Sequence, residues 1–311
     1  MAFSPPRSAA RVASVTVTFN PHAQRLAQQV AALGGQVDEI IVIDNGSMPA
    51  LGVPESEAAP VRFIPLGDNV GVAAAFNIGI REARKAGADF VLLLDHDSVP
   101  TPGMVGALVE GYARCQSNSV APVAAAGPRV VDARDKRPYP FVRLGWLRNH
   151  HIQCGDTAQD AVPCDFLISS GTLVRVEHFD RVGPFDEALF VDSVDLEWCC
   201  RARKLGFALF GVCSARLDHW LGDHRREVVG GIALVVHSPQ RLYYMTRNRF
   251  LLYRRGYMPF KWKVKDILRV CAKFAATMIF LAPRRQYLRM TYRAVRDAAR
   301  GRGGKYRPLP G

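Results

Sequence analysis

The chain has 311 residues, of which 49% are hydrophobic, and it carries a net charge of +13. That length and apolar content allow one large α/β domain with an appendix, or two domains, around a sizeable core. Residues 1–14 contain no apolar segment of the kind found in secretory signal peptides, so the sequence predicts no secretory leader.

The positive charge is concentrated at the C-terminal end. Residues 237–311 contain 19 Lys and Arg against 2 Asp and Glu, a net charge of +17, which leaves −4 for the rest of the chain. A strongly basic region favours an anionic partner such as a membrane surface, a nucleic acid or a phosphorylated lipid. We predict no nucleic-acid partner, because no recognised binding motif is present.

The N-terminal half alternates predicted strands and helices. Strands are predicted at 11–19, 38–47, 61–67 and 89–95, and helices at 21–35 and 69–87. Further along, we predict a strand at 165–175, a helix at 194–206 and a strand at 207–212. The alternation predicts an α/β fold with a mostly parallel sheet covered by helices.

Polar side chains stand at the ends of three predicted strands. They are Thr18 and Asn20 after the first, Asp44 and Asn45 after the second, and Asp95 and Asp97 after the fourth. In such sheets ligands bind beyond the carboxyl ends of the strands, so these groups are expected to face one crevice. The alternative for residues 44–47 is a simple turn, because all four are good turn formers.

Asp95 and Asp97 follow the apolar run in FVLLLDHDSVP (90–100). On a strand, residues two apart point to the same side, and two converging carboxylates repel unless a cation or a proton lies between them. Mg²⁺ is commonly held by one or two carboxylates together with substrate phosphates. His219 is a candidate third ligand, since imidazole and carboxylate can share Mn²⁺; a structural histidine is the alternative.

Three acids, Asp192, Asp195 and Glu197, lie at the start of the predicted helix 194–206, among apolar residues. The helix dipole would keep Asp195 ionised, as a general base must be at pH 7. We therefore predict a catalytic role for at least one of these acids. Helix capping is the alternative, because carboxylates at a helix N-terminus are often simply stabilising.

The cysteines and the basic region bear on the compartment. None of the seven cysteines forms a Cys-x-x-Cys pair, and we predict free thiols in a reducing cytosol. A zinc site from Cys154, Cys164 and His150 or His151 is the alternative.

In the basic region, the apolar stretch 274–282 is too short to span a bilayer. Interleaved basic and aromatic residues favour an amphipathic helix on an anionic membrane; helices packed on the main domain are the alternative.

Seven segments in this order resemble glycosyltransferase family 2, and within it the bacterial rhamnosyltransferases of surface-polysaccharide assembly. The resemblance runs over residues 12–255. The segments are VTFNP (17–21), VIDNGS (42–47), LGDNVGVAAAFNIGI (66–80), VLLLDHDS (91–98), SSGTLVR (169–175), FDEALFVDSVDLEWCCRARKLG (185–206) and LDHWLGD (217–223).

The resemblance implies a GT-A fold and an inverting, metal-dependent sugar transfer. Residues 12–100 would form the nucleotide-binding half of a catalytic domain 1–236, residues 101–236 its acceptor half, and residues 237–311 a basic helical extension. The donor implied is a nucleotide-diphosphate sugar, typically dTDP-L-rhamnose, and the cofactor is Mg²⁺ or Mn²⁺. The acceptor would be a saccharide, free or linked to polyprenyl diphosphate, and the enzyme would lie at the cytoplasmic face of the cell membrane.

The resemblance also implies roles for individual residues. Asp195 would be the base, with Asp192 and Glu197 beside it, and Asp95, Asp97 and His219 would hold the metal. The donor-binding residues would be Thr18, Phe19, Asn20, Asp44, Asn45, Asn69 and Asp95. The Gln-x-x-Arg-Trp motif of processive synthases is absent, as is their bundle of membrane helices, which favours transfer of a single sugar.

Two other readings compete with this prediction. A sugar nucleotidyltransferase would need a glycine-rich, basic loop after the first strand, and VTFNPHAQR does not supply one. A catalytically silent carbohydrate-binding or scaffolding protein remains open, although the intact set of acids argues against it.

Overall fold

A mixed sheet forms the centre of this computed structural model, which describes residues 10–52, 54–146, 148–155, 160–220, 225–228, 232–235, 237–280 and 283–307. The strands are β1 (Val12–Thr18), β2 (Glu39–Asp44), β3 (Val61–Pro65), β4 (Phe90–Asp95), β5 (Ser98–Pro100), β6 (Val123–Asp132), β7 (Phe141–Arg143), β8 (His150–Ile152), β9 (Ala161–Cys164), β10 (Leu173–Arg175), β11 (Ala208–His219), β12 (Arg225–Val228) and β13 (Ile232–Val235).

The helices cover this sheet and form the C-terminal region. They are α1 (Ala23–Leu33), α2 (Val72–Lys85), α3 (Met104–Asn118), α4 (Val176–Val182), α5 (Val194–Lys204), α6 (Pro239–Tyr253), α7 (Phe260–Phe280) and α8 (Arg284–Ala299), with a 3₁₀ turn at Glu187–Leu189.

In the central sheet the strand order is β3-β2-β1-β4-β10-β6-β11-β5, with β9 also paired to β11. β1, β2, β3 and β4 are mutually parallel, while β10 runs antiparallel to both β4 and β6. The predicted α/β fold with a mostly parallel sheet is confirmed. The carboxyl ends of β1, β2 and β4 lie side by side, since Thr18 is opposite Asp44 and Val17 is opposite Asp95.

Residues 40–43 of β2 are all apolar, because both faces of this strand are covered. Ile41 and Ile43 join the core that contains Phe76 of α2, whereas Ile40 and Val42 join the core that contains Val30 of α1. Alternate side chains of a strand point to opposite faces, so a strand covered on both faces must be apolar at every position. The two helices thus bury both faces of β2, and its acidic residues stand at its two ends, Glu39 and Asp44.

Two predicted strands have different bounds in the structure. Only Leu173–Arg175 of the predicted strand 165–175 is extended, because the backbone turns at Gly171, where φ is +83°. The Thr172 amide donates to the Ser169 carbonyl across this turn, at 3.0 Å. The predicted strand 207–212 continues instead to His219. Its last residues pair with β5 and bring His219 opposite Ser98.

The predicted helices of the basic region are present as α6, α7 and α8. Leu252 of α6 and Ala298, in α8, belong to the same core as Val15 of β1. Within the residues that the structure describes, no helix is long and apolar enough to cross a membrane. The division into a catalytic domain 1–236 and an extension 237–311 remains a prediction, although α6 and α8 share their core with the sheet.

The prediction that all seven cysteines are free thiols is wrong for two of them. Cys154 and Cys213 form a disulfide bond, whereas Cys164 and the other described cysteines are free. The pair joins the segment after β8 to the middle of β11, 59 residues further along the chain. This bond also removes Cys154 from the zinc site considered as an alternative.

Candidate active site

Asp44 lies at the end of β2 and is almost fully buried, with 4% of its surface exposed. Thr18 donates a hydrogen bond to Asp44 Oδ1 at 3.0 Å, and the Ser47 hydroxyl donates to the same oxygen at 2.5 Å. These two donors fix the carboxylate beside the end of β1. A buried carboxylate needs such partners, because unpaired burial of a charge is costly.

Three asparagines shape the loops around Asp44. Asn20 takes a left-handed conformation with φ of 48°, and its side chain accepts from the Met48 amide at 2.9 Å. Asn45 donates to Asn69 Oδ1 at 3.2 Å, and Asn69 Oδ1 also accepts from the amide of Gly71 at 3.0 Å. These residues, which were predicted to bind the sugar donor, thus lie close together and hold the loops by hydrogen bonds. The neighbouring Phe19 side chain is 45% exposed.

Asp95, Asp97 and His219 converge as predicted. One candidate ligand atom from each lies within 4.8 Å of the others, and we call these three residues the Asp–Asp–His cluster. The convergence has a different cause from the predicted one, because β4 ends at Asp95 and Asp97 lies in the turn before β5. His219 reaches the turn from β11, with Nδ1 3.1 Å from the Asp97 carbonyl.

The surroundings of Asp97 favour a neighbouring cation. Burial is the largest influence on Asp97 and raises its pKa, and the charge of Asp95 raises it further, while His219 lowers it. A positive ion between the carboxylates would remove both penalties. The contact of His219 Nδ1 with the Asp97 carbonyl fixes the orientation of the imidazole ring beside the two carboxylates.

Two residues that the sequence analysis did not single out hold this cluster in place. Gln29 of α1 is fully buried, and its amide donates to the carbonyls of Asp95 and Ser98 at 2.7 and 2.5 Å. Ser170 donates to Asp95 Oδ2 at 2.5 Å. The sequence does carry a signal for Gln29, because this polar residue occupies a position in the apolar stripe of α1 between Leu26 and Leu33.

Asp195 lies in the first turn of α5, and the negative charge of Asp95 in the cluster affects its pKa. Burial raises the pKa of Asp195 from 3.8 to about 6, and the charges of Asp95 and Asp192 act in the same direction. The Leu196 amide donates to Asp195 Oδ1 at 2.8 Å and opposes the rise, and the Ser169 amide acts in the same direction. The pKa stays below 7, so the ionised form expected of a base still predominates at neutral pH.

Two consecutive residues lie beside both Asp195 and the Asp–Asp–His cluster. The Ser169 amide lowers the pKa of Asp195, and the Ser170 hydroxyl donates to Asp95. The segment that contains them holds the cluster close to the predicted base. Such fixed spacing is what a reaction between two bound substrates requires.

The other two predicted acids are placed differently. Glu197 is fully buried and forms a two-pronged ion pair with Arg201, at 2.8 and 3.0 Å, while Tyr257 donates to it at 2.5 Å. With its oxygens so engaged, Glu197 is suited to fixing α5 rather than to taking a proton. Asp192 accepts from Arg241 at 3.2 Å and sits just before the helix.

The mostly parallel sheet flanked by helices is the fold of the GT-A class of glycosyltransferases. One solved structure with this fold, GalNAc-T7 with UDP, GalNAc and Mn²⁺, aligns with a TM-score of 0.56 and 15% identity over 80% of this chain. The chain spans 49% of that protein's length. At this identity the likeness concerns the fold alone.

The chain belongs to glycosyl transferase family 2, whose model matches residues 14–183. It is 31% identical to the dTDP-rhamnosyl transferase RfbF of Shigella flexneri, over 94% of this chain and 97% of that protein. It is 28% identical to the N-acetylglucosaminyl-diphospho-decaprenol L-rhamnosyltransferase of Mycobacterium tuberculosis, over 67% and 75% of the two chains. It is 27% identical to the galactofuranosyltransferase GlfT1 of Mycolicibacterium smegmatis, over 71% and 73%. The protein is a glycosyltransferase.

Proposed function

We propose that this enzyme transfers L-rhamnose from dTDP-L-rhamnose, with inversion, to a saccharide acceptor in cell-surface polysaccharide synthesis. The observation that carries the proposal is the convergence of Asp95, Asp97 and His219 into a cluster suited to a diphosphate-bound cation, close to Asp195, whose pKa is raised by the charge of Asp95 as well as by burial. The similarity to RfbF along nearly its whole length supports rhamnose as the sugar.

The donor half of the reaction would use the ends of β1, β2 and β4. Thr18 and Asp44 would receive the nucleoside, with Phe19 at the rim as an apolar wall. The Asp–Asp–His cluster fits a divalent cation, Mg²⁺ or Mn²⁺, by its oxygen and nitrogen donors. Such an ion, when bound, supplies positive charge beside the diphosphate that departs.

The acceptor half would depend on Asp195. Its carboxylate takes the proton from the acceptor hydroxyl while the hydroxyl oxygen forms a bond to the anomeric carbon. The bond from that carbon to the nucleotide diphosphate breaks on the opposite face, and the diphosphate leaves with its electron pair. A carboxylate with a pKa of about 6 suits this role, because the best base at neutral pH has a pKa near the operating pH.

The donor is identified by a thermal-shift screen followed by a transfer assay. With Mg²⁺ or Mn²⁺ present, dTDP-L-rhamnose should raise the unfolding temperature more than UDP-galactofuranose or UDP-N-acetylglucosamine, since a ligand that binds the folded state stabilises it. Transfer of rhamnose to N-acetylglucosaminyl-diphospho-polyprenol is then measured. A larger shift and faster transfer with UDP-galactofuranose would contradict rhamnose as the sugar.

The basic region is proposed to place the enzyme at an anionic membrane, where a lipid-linked acceptor lies. On α7, Lys261 and Lys265 turn toward the protein and donate to the carbonyls of Leu144 and Gly145. Apolar side chains of the same helix are exposed instead, at three- and four-residue spacing: Phe260, Val264, Ile267 and Leu268. Exposed basic residues follow on α7 and at the start of α8, namely Arg269, Arg284, Arg285 and Arg289. An exposed apolar helix face combined with exposed positive charge is typical of helices that lie on anionic membranes.

Replacing Ile267 and Leu268 together by glutamate should release the enzyme from vesicles that contain anionic lipid. The two side chains are 45% and 67% exposed, so the fold should tolerate the change. Cosedimentation with phosphatidylglycerol vesicles measures the binding, and transfer to a water-soluble acceptor should stay at the wild-type rate. The matched control is Val120→Glu, at an exposed apolar residue outside the basic region. Equal vesicle binding by all three proteins would contradict the membrane proposal.

A further inference from the structure

Residues 188–193, which we call the base loop, form a strained turn directly before α5. Phe190, Asp192 and Ser193 have φ values of 63°, 61° and 65°, in the left-handed region that residues other than glycine rarely adopt. Ser193 precedes the helix, but its side chain makes no capping hydrogen bond. Three such residues within four positions persist only if their surroundings hold them.

Two neighbouring side chains of α6 hold the base loop. The Asn248 amide nitrogen lies 2.8, 2.6 and 2.9 Å from the carbonyl oxygens of Leu189, Val191 and Asp192. Arg247 donates to the carbonyl of Ala188 at 3.2 Å and to that of Leu189 at 3.0 Å. Both side chains are fully buried. A buried guanidinium and a buried amide need a complete set of acceptors, and here the base loop supplies most of them.

The opposite side of the loop is held as well. The Gly304 amide donates to the Ala188 carbonyl at 2.7 Å, and Arg247 donates to the Gly304 carbonyl at 2.5 Å. Gly303 packs so closely that a Cβ atom there would lie 2.5 Å from the Ala188 side chain. At the other end, the Val72 amide of α2 donates to the Phe190 carbonyl at 2.7 Å. The turn is therefore fixed between α2, α6 and the segment after α8.

We propose that Arg247 and Asn248 are positioning residues for sugar transfer. By holding the carbonyls of the base loop in a left-handed turn, they set where α5 begins and thus where the Asp195 carboxylate points. Neither side chain touches the reacting atoms. The inference rests on the proposed function, because it takes Asp195 to be the base.

The test compares Asn248→Ala and Arg247→Lys with the control Tyr253→Phe. Tyr253 also lies on α6 and donates to buried Asp266 at 2.8 Å, away from the base loop. Displacing a reacting group by about 1 Å costs about 10²-fold in rate, so kcat should fall by about that factor in the first two variants. The affinity for dTDP with Mg²⁺ should match that of the control, and the amides of residues 188–198 should exchange faster.

A second substitution separates positioning from general loss of structure. Glycine adopts the left-handed conformation without strain, so Ser193→Gly should restore part of the kcat lost in Asn248→Ala. If Asn248→Ala keeps the control's kcat and exchange rates, or if it loses dTDP binding in proportion to kcat, the inference is overturned. If the wild type transfers no rhamnose, the proposed function fails, and the exchange of residues 188–198 still decides whether Asn248 holds the loop. If Arg247→Lys does not fold, Asn248→Ala and its rescue carry the test.

Discussion

Replacing Asp195 by asparagine is expected to abolish sugar transfer while leaving donor binding nearly intact. The amide has the size of the carboxylate but does not accept a proton at neutral pH, and loss of a general base lowers rates by about 10²- to 10⁴-fold. Initial rates of transfer and titration with dTDP and Mg²⁺ measure the two effects. Loss of donor binding, with kcat unchanged, would refute Asp195 as the base.

The same substitution should make the protein more stable at pH 7. Because the pKa of Asp195 is raised from 3.8 to about 6, the folded state binds its proton more tightly than the unfolded state, and stability falls as pH rises between these values. Part of the Asp195 surface stays exposed to solvent, which weakens the effect of the pKa shift on stability. We therefore expect the free energy of unfolding to increase by on the order of 2 kcal/mol. Denaturant unfolding without metal should show this gain at pH 7 and its loss near pH 4.

Two further measurements sharpen the assignment. The wild-type rate should fall as pH drops through about 6, where Asp195 becomes protonated, and this acid limb should be absent from the residual rate of Asp195→Asn. Asp192→Asn is the matched comparison, since Asp192 lies three residues earlier and pairs with Arg241. It should keep most of the activity. If Asp192→Asn is the inactive variant, the base is Asp192.

Replacing Asp97 by alanine is expected to remove metal-dependent donor binding. The cluster would keep only Asp95 and His219 as protein ligands. Loss of an outer partner of a metal ligand already weakens sites by about 10- to 100-fold, so loss of a ligand should weaken this one by about 100-fold or more. Titration of dTDP with and without Mn²⁺ measures the effect, and excess EDTA should reduce the wild type to the same level.

The control for Asp97→Ala is His96→Ala. His96 occupies the same turn but is not part of the cluster, and it should leave the metal dependence unchanged. Without metal, Asp97→Ala should be no less stable than the wild type, because burial and the charge of Asp95 disfavour the Asp97 carboxylate. Unchanged metal dependence in Asp97→Ala would remove this residue from the metal site.

The sequence predicted well where local pattern decides the structure. The alternation of apolar strands and helices up to residue 95 is confirmed, because both faces of the sheet are covered and apolar side chains fill most of the strand positions between the ends. The position of Asp95 followed from that pattern. Asp97 and His219 were predicted to converge and do so, but the turn after β4 and the length of β11 bring them together, and neither was evident from periodicity.

The supports of the site were missed because they depend on distant partners. Gln29, Arg247 and Asn248 are polar residues on the buried face of a helix. A polar side chain at such a position indicates a buried hydrogen-bond partner. Their acceptors lie far away in the sequence, as with Gln29 and the carbonyl of Asp95, 66 residues apart. The disulfide joins residues 59 apart in the same way. No local pattern identifies such pairs.

The contacts that hold the base loop have a consequence for the folding of the protein during its synthesis. Gly304 and Asn248 follow the base loop in the chain, Asn248 by 59 residues from Leu189, whereas β1, β2 and β4 precede it. Contacts between distant residues form only after the intervening chain has been synthesised. Strands β1, β2 and β4 therefore leave the ribosome first, and Arg247 and Asn248, the proposed positioning residues for Asp195, leave it later. A nascent chain that ends before residue 247 carries strands β1, β2 and β4 and the base loop but lacks the two side chains of α6 that hold this loop.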